Sequence, residues 1–221
     1  ADPAAAATMM LSTTTNHEGH LLLGLHSADR DAAIDVIGRM TDANPARTGE
    51  IILSMSTSAA SQTAAADIVA SVFNGAPTST TRMPSTVTML SGMIGREVHR
   101  TEGIISAMMA AGNTTAAADM LVQLHAVDPV GAQGLVTAMA KRNPATAASL
   151  LLAARNTGAA AAATLLAGIS LTGGAHAEAV NVLDQMIVTD GAGAAQIMRH
   201  MTGPDGAWFI TALADPGRVG G

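Results

Sequence analysis

The chain has 221 residues, of which 48% are apolar and 13% are charged, and its formal net charge is −6. It contains no cysteine, which excludes disulfides, thiolate metal sites and cysteine nucleophiles. A negative chain with one tryptophan, two phenylalanines and no tyrosine lacks the cationic surface and the stacking rings that nucleic acid requires, so no nucleic-acid partner is expected.

The start of the chain, residues 1–16, is predicted to be flexible or weakly ordered. Ala1-Asp2-Pro3 lacks an initiator methionine and is interpreted as a processed end or as residues left over from cloning. This favours a secreted or periplasmic protein weakly, and a cytoplasmic location stays open. The longest apolar stretch, Ala159–Ile169, is about half the ~20 residues that a spanning helix needs, so no membrane insertion is predicted.

From Leu21 onward, pairs of adjacent large apolar residues recur about every fifteen residues. The first members of these pairs, here called pair positions, are Leu21, Val36, Ile51, Ile68, Met89, Ile104, Met120, Leu135, Leu150, Leu165, Val182, Ile197 and Phe209. An apolar residue follows each pair position by four residues, and alanine often precedes it by three. Spacings of three and four place these residues on one face of a helix.

Helix starts agree with this period. Asn44-Pro45, Asp128-Pro129 and Asn143-Pro144 each combine a capping side chain with proline at the first helical position. A period of fifteen leaves roughly eleven helical residues and a turn of about four. A helix of about eleven residues is too short to be stable alone. The pattern therefore predicts an all-α, right-handed superhelical solenoid of about 13 short helices. An ordinary globular helical bundle is the alternative.

The fifteen-residue period of the apolar pairs is interrupted once, by a segment rich in proline, serine and threonine. The predicted organisation is 17–73 for the N-terminal helical repeats, 74–85 for a loop, 86–214 for the C-terminal helical repeats and 215–221 for a tail. The loop is interpreted as a long surface connection, with a true domain boundary as the alternative.

Three segments carry a resemblance to known families: Ala116–Leu124 (AAADMLVQL), Asp128–Met139 (DPVGAQGLVTAM) and Asn143–Ala154 (NPATAASLLLAA). They resemble the short-helix superhelix at the N-terminus of MgtE-type magnesium transporters. The middle domain of the flagellar switch protein FliG is similar. The resemblance covers about residues 21–213 and implies a fold. It does not imply magnesium transport, because this chain shows neither a CBS pair nor the membrane helices.

Candidate site residues are few. His17 and His20 are three apart and would share a helix face, so they are a candidate metal pair, with a polar capping repeat as the alternative. Asp35, Glu50, Asp67 and Asp119 directly precede their pairs and are interpreted as a solvated edge rather than a metal site. Asn113 begins a glycosylation sequon. No catalytic residues and no cofactor are predicted, since the phosphate-binding and nucleophile motifs are absent.

The functional prediction is a non-enzymatic helical-repeat scaffold or protein-interaction module with a protein or peptide partner. The alternative is an exported protein that binds a small ligand or metal ion, through a methionine-lined groove or the His-rich first repeat. The methionines four residues after pair positions are interpreted as core. They are Met40, Met55, Met93, Met108, Met139, Met186 and Met201.

Overall fold

The computed structural model describes residues 2–13, 17–75, 82–171 and 175–201, together with positions 207 and 211. Among these residues no strand is present, and the all-α prediction is confirmed. The ten helices found there are α1 Pro3–Ser12, α2 Glu18–Ala28, α3 Arg30–Ala43, α4 Pro45–Met55, α5 Ala59–Asn74, α6 Arg82–Ala110, α7 Thr114–Val127, α8 Pro129–Arg142, α9 Pro144–Leu171 and α10 His176–Met198.

The chain forms two compact units, Ala1–Gly131 (unit 1) and Ala132–Gly221 (unit 2). In unit 1 a helix packs both on the next helix in the chain and on the next but one. Helix α2 contacts α3 and α4, α4 contacts α6, and α3 contacts α5. In unit 2, α9 packs along α10. Each short helix is therefore sheltered mainly by helices close to it in sequence.

The predicted apolar positions form the interior of both units. Every pair position from Val36 to Ile197 is at most 2% exposed. Six methionines four residues after pair positions are equally buried: Met40, Met55, Met93, Met108, Met139 and Met186. These six side chains fill the core and line no open surface. Leu21, the first pair position, differs because it is 60% exposed.

Single residues, rather than the expected turns of about four, join several of the helices. Asp29 has φ −152° and ψ 94°, and Asn44 has φ −153° and ψ 83°. The N–H of each still donates to the carbonyl four residues earlier, and its own carbonyl accepts from the N–H four residues later. One residue therefore ends one helix and starts the next without losing a backbone hydrogen bond.

The three longest helices each contain one such residue. Glu97 in α6, Gly158 in α9 and Asp190 in α10 have φ between −149° and −164° and ψ between 71° and 84°. Each lies between two pair positions. This is one reason why ten helices are described where about thirteen were expected.

Helix α1 lies in the segment for which weak order was predicted. Its start is set by Asp2, whose side chain accepts from the Ala4 N–H at 2.9 Å, and by proline at its first position. Ala7 and Met10 of α1 are buried. The sequence analysis missed this helix because the segment contains no apolar pair in register with the others.

Two predicted boundaries fall wholly or partly outside the described residues. Helix α5 ends at Asn74 and α6 begins at Arg82, so residues 82–85 are helical where the sequence predicted a loop. Residues 76–81 of that predicted loop lie outside the described residues, as do Phe209, the last pair position, and the tail 215–221.

Helix α9 is long and apolar enough to cross a membrane by length and composition. Within the stretch Pro144–Ser170, the most apolar window of 18 residues has a mean hydropathy of 1.3, and half of that window is buried inside the protein. No span was predicted from the sequence because its longest uninterrupted apolar stretch, Ala159–Ile169, is about half the ~20 residues needed. In the structure α9 breaks at Gly158, and Leu150 and Leu165 are fully buried, as in a core helix pair.

Candidate functional site

One buried carboxylate lies next to an otherwise uniform core position. Three residues before a pair position the described chain has either alanine or threonine, with one exception, Glu18. The alanines are Ala33, Ala65, Ala117, Ala132, Ala147, Ala162, Ala179 and Ala194; the threonines are Thr48, Thr86 and Thr101. All eleven are at most 1% exposed, and Glu18 is 3% exposed. In α2 the buried residue is Leu22 rather than Leu21, so Gly19 takes the small-residue place against α4 and Glu18 is buried directly before it.

Glu18 is held in its charged form by specific partners. Arg47 Nη2 lies 3.1 Å from Glu18 Oε1. Burial by itself would raise the pKa of Glu18. Hydrogen bonds from its own backbone N–H, the Thr13 side chain and the Arg47 guanidinium outweigh burial, so the pKa lies below its ordinary value. The ion pair joins the start of α2 to α4.

Arg47 extends this pair into a chain of charges. Its Nη1 donates to Glu50 Oε2 at 2.7 Å, and its Nη2 also donates to the Thr13 carbonyl at 3.1 Å. The other carboxylate oxygen of Glu50 accepts a short hydrogen bond from Arg96. Both oxygens of Glu50 are thus occupied, and the chain of contacts runs from α2 through α4 to α6.

These residues line a cleft of about 400 Å³ in unit 1. Its lining consists of Glu18, Arg47, Glu50, Ile51, Leu53, Ser54, Arg96, Glu97 and Arg100. The cleft holds three of the five glutamates in the chain and three of its ten arginines. Since only 13% of the chain is charged, this is a strong concentration of charge of both signs.

A departure from the repeat pattern also lines the cleft. Glu97 is the single non-helical residue inside α6, a place that Asp29, Asn44 and Asp190 take elsewhere. Those shorter side chains cap the helix that follows, each accepting from a backbone N–H three residues ahead. No hydrogen bond to the Glu97 carboxylate occurs within the described part of the chain, and the side chain is exposed.

A separate cluster of polar side chains in unit 1 joins three helices. Arg30 binds both oxygens of Asp67, with Nε to Oδ2 at 2.6 Å and Nη2 to Oδ1 at 2.7 Å. His26 Nε2 lies 2.9 Å from Asp67 Oδ2, and Arg30 also donates to Ser71 Oγ at 3.0 Å. The hydrogen bonds from Arg30 lower the pKa of Asp67, and Asp67 raises the pKa of Arg30. The cluster fastens α2 and α3 to α5.

Unit 2 contains a similar ion pair between helices. Arg155 Nη1 lies 2.7 Å from Asp190 Oδ2, which joins α9 to the non-helical residue of α10. The backbone N–H of Gly193 donates to Asp190 Oδ1 at 2.8 Å. That hydrogen bond, followed by the one from Arg155, lowers the pKa of Asp190. A charged side chain here serves as helix cap and helix-to-helix contact at once.

The acidic residues interpreted as a solvated edge have more specific surroundings. Glu50 and Asp67 take part in the contacts above, and Asp35 pairs with Arg39 at 3.3 Å within α3. Asp119 has a buried Oδ1 without a hydrogen-bond partner among the described residues. This position therefore contributes to contacts between helices in two of the four repeats.

The structure does not bring the predicted site residues together. His17 and His20 are both exposed at the start of α2. Among the described residues no group of three or more His, Asp or Glu side chains is arranged to hold a metal ion. Asn113 is the half-buried residue before α7, and its side chain makes no capping hydrogen bond. The metal pair and the glycosylation site stay predictions.

Comparison with protein-family models, with curated proteins and with solved structures gives no match to this chain. The resemblance to the N-terminal domain of MgtE-type transporters and to the middle domain of FliG therefore stays a prediction. What can be said about function comes from the geometry of the described residues.

Sequence reasoning missed the cleft, although a signal for it was present. Glu97 is the one glutamate at its position in the repeat among the described residues. Comparing the repeats with one another, position by position, would have singled it out. That Glu97 shares a cleft with Glu18 depends on the packing of α2, α4 and α6, which the sequence does not show.

Proposed function

We propose that the chain is a non-enzymatic helical-repeat module that binds a protein or peptide partner in the cleft of unit 1. The observation that carries the proposal is the convergence of Glu18 and Glu97 on one cleft of about 400 Å³. At the place that Glu97 takes in α6, Asp29, Asn44 and Asp190 carry short capping side chains in other helices. A buried ionised carboxylate and an exposed carboxylate without a hydrogen-bond partner in the described residues line the same cleft, which favours a function for that place over a packing role.

The charge states of the shifted carboxylates support a binding role. The pKa values of Glu18, Asp67 and Asp190 all lie below their ordinary range because partners stabilise the ionised form. A general acid or base acting near neutral pH needs a carboxylate pKa raised toward 7. These carboxylates act as permanent charges, which suits recognition and structural pairing better than proton transfer.

The architecture is suited to the same role. We propose that the short helices stack in the manner of a solenoid within each unit, each covered by its neighbours in sequence. Packing of α2 on α4 and of α4 on α6 favours this arrangement. The right-handed twist and the count of about thirteen repeats stay predictions. Net charge and the scarcity of rings favour a protein partner over nucleic acid.

Peptide display tests the proposed function. Random peptides are selected on the full chain, and enriched sequences are measured on two tryptophan variants. Glu97→Trp places a bulky side chain in the cleft. Val130→Trp is the matched control, because Val130 is 82% exposed in unit 1 and does not line the cleft. We expect peptides that bind wild type and the control but lose about tenfold or more in affinity with Glu97→Trp.

Two results would count against this function. The first is that selection enriches no sequence family after repeated rounds on a chain that is folded by circular dichroism. The second is that every enriched peptide binds Glu97→Trp as tightly as the control, which would place recognition outside the cleft.

A further inference from the structure

The unused hydrogen-bonding groups of the cleft point to a ligand chemistry, and this inference rests on the function proposed above. The inner part of the cleft is saturated by its own contacts. Arg47 donates to Glu18, Glu50 and the Thr13 carbonyl, and both oxygens of Glu50 accept from arginines. A ligand would break an internal ion pair to bind these three side chains.

The outer part of the cleft has free donors. A guanidinium has five N–H groups in a planar fork that matches a carboxylate. Arg96 is 62% exposed and uses Nη2 for Glu50, and Arg100 donates from Nη1 to the Leu53 carbonyl at 3.1 Å. The contacts found in the described residues leave most donors of both side chains unused.

Glu97 is the third outer group of the cleft, and its negative charge affects which ligands can bind there. Three arginines and three glutamates line the cleft, so their charges balance. A lone carboxylate entering beside Arg96 and Arg100 would gain from both and be repelled by the unpaired Glu97. A cation carried next to that carboxylate would remove the repulsion and pair with Glu97.

We propose that the cleft recognises an acidic side chain followed directly by a basic one in a segment of the partner. The acidic side chain binds Arg96 and Arg100, and the basic side chain pairs with Glu97. Guanidinium–carboxylate contacts are charge-assisted and directional, so they can supply selectivity within a small volume. About 400 Å³ is at the lower end of ligand sites and suits two side chains rather than a whole helix.

Three capped tetrapeptides of nearly equal size test this inference on the full ¹⁵N-labelled chain by NMR titration. They are acetyl-Ala-Glu-Lys-Ala-amide, the same peptide with Gln for Glu, and the same peptide with Gln for Lys. The Glu-Lys peptide is expected to bind at the millimolar level and to shift the backbone amides of residues 96–100. Replacing its Glu should weaken binding about tenfold, and replacing its Lys about threefold.

Variants assign each charge to its side chain. Arg96→Gln/Arg100→Gln should abolish the shifts, and Arg39→Gln, which removes one positive charge outside the cleft, should leave them unchanged. Glu97→Gln should bind the peptide that lacks Lys more tightly than wild type does and lose the preference for Lys. Since Glu97 is exposed and accepts no hydrogen bond from the described residues, this variant is expected to fold normally.

The inference is overturned by equal binding of the Glu and Gln peptides, by unchanged binding to a folded arginine double variant, or by no shifts with the Glu-Lys peptide at about 20 mM, well above a millimolar dissociation constant. If display-selected peptides still depend on the cleft in that case, the proposed function stands, and only the preference for an acidic side chain followed by a basic one fails. If display selects nothing while the Glu-Lys peptide binds as expected, the preference for an acidic side chain followed by a basic one stands, and the proposed binding of a longer peptide or protein segment fails.

Discussion

Gly19 and Gly24 lie in the same helix, α2, and alanine is expected to act in opposite directions at the two positions. A helical glycine replaced by alanine ordinarily stabilises a protein by about 0.5–1 kcal/mol. At Gly24 an added Cβ would meet no atom within 4 Å. At Gly19 it would lie 2.6 Å from the backbone N of Met55 and 2.8 Å from the carbonyl carbon of Ser54, so α2 and α4 would have to separate.

The size of the effect follows from these contacts. Overpacking costs about 1–3 kcal/mol, and we take the upper value because backbone atoms of α4 cannot rotate away. Subtracting the helical gain leaves Gly19→Ala about 2 kcal/mol less stable than wild type, and about 3 kcal/mol less stable than Gly24→Ala. Urea unfolding followed by circular dichroism gives both differences. Equal stabilities for the two variants would refute the close approach of α2 to α4.

Two further predictions concern the site and the core. Glu18→Gln should lower the unfolding free energy at pH 7 by about 1–3 kcal/mol, because a buried charge-assisted contact is lost. Since the folded pKa of Glu18 is lowered, its contribution is present above the ordinary value of 4.5 and is lost as pH falls through the folded pKa. Below about pH 4.5 wild type should therefore lose stability more steeply than Glu18→Gln in urea midpoints, and parallel curves would contradict this. Met108→Ala should lower the free energy of unfolding by about 2–5 kcal/mol, measured by thermal or urea unfolding. Met9 is 58% exposed, so Met9→Ala should change the free energy of unfolding by no more than about 0.5 kcal/mol. Similar losses for both variants would contradict the assignment of Met108 to the core.

The core could be predicted from the sequence because its positions repeat. Val36, Ile104 and Leu150 share a spacing to their neighbours that only a helix face explains, and all three are buried as expected. The way the helices are joined could not be predicted in the same way. Asn44-Pro45 marks a helix start, but nothing in the residue types shows that Asn44 also ends the preceding helix.

The cleft was harder to predict for a related reason. Glu18 and Arg96 are far apart in sequence, and their approach depends on contacts of α2 with α4 and of α4 with α6. Hydrophobic periodicity fixes which face of each helix is buried, whereas it carries no information on which charged residues of different helices meet. His17 and His20 had a suggestive spacing within one helix, but a site needs convergence between helices.

The single-residue connections have a consequence for how such a chain can change in length. In an α-helix each residue advances the direction of its side chain by about 100°. One residue inserted beside Asn44 would turn the whole of α4 by that angle and carry Ile51 and Ile52 from the interior toward water. Substitutions can therefore accumulate along these helices, while a residue inserted at a one-residue junction requires a longer connection, such as residues 111–113 between α6 and α7, to restore the buried face.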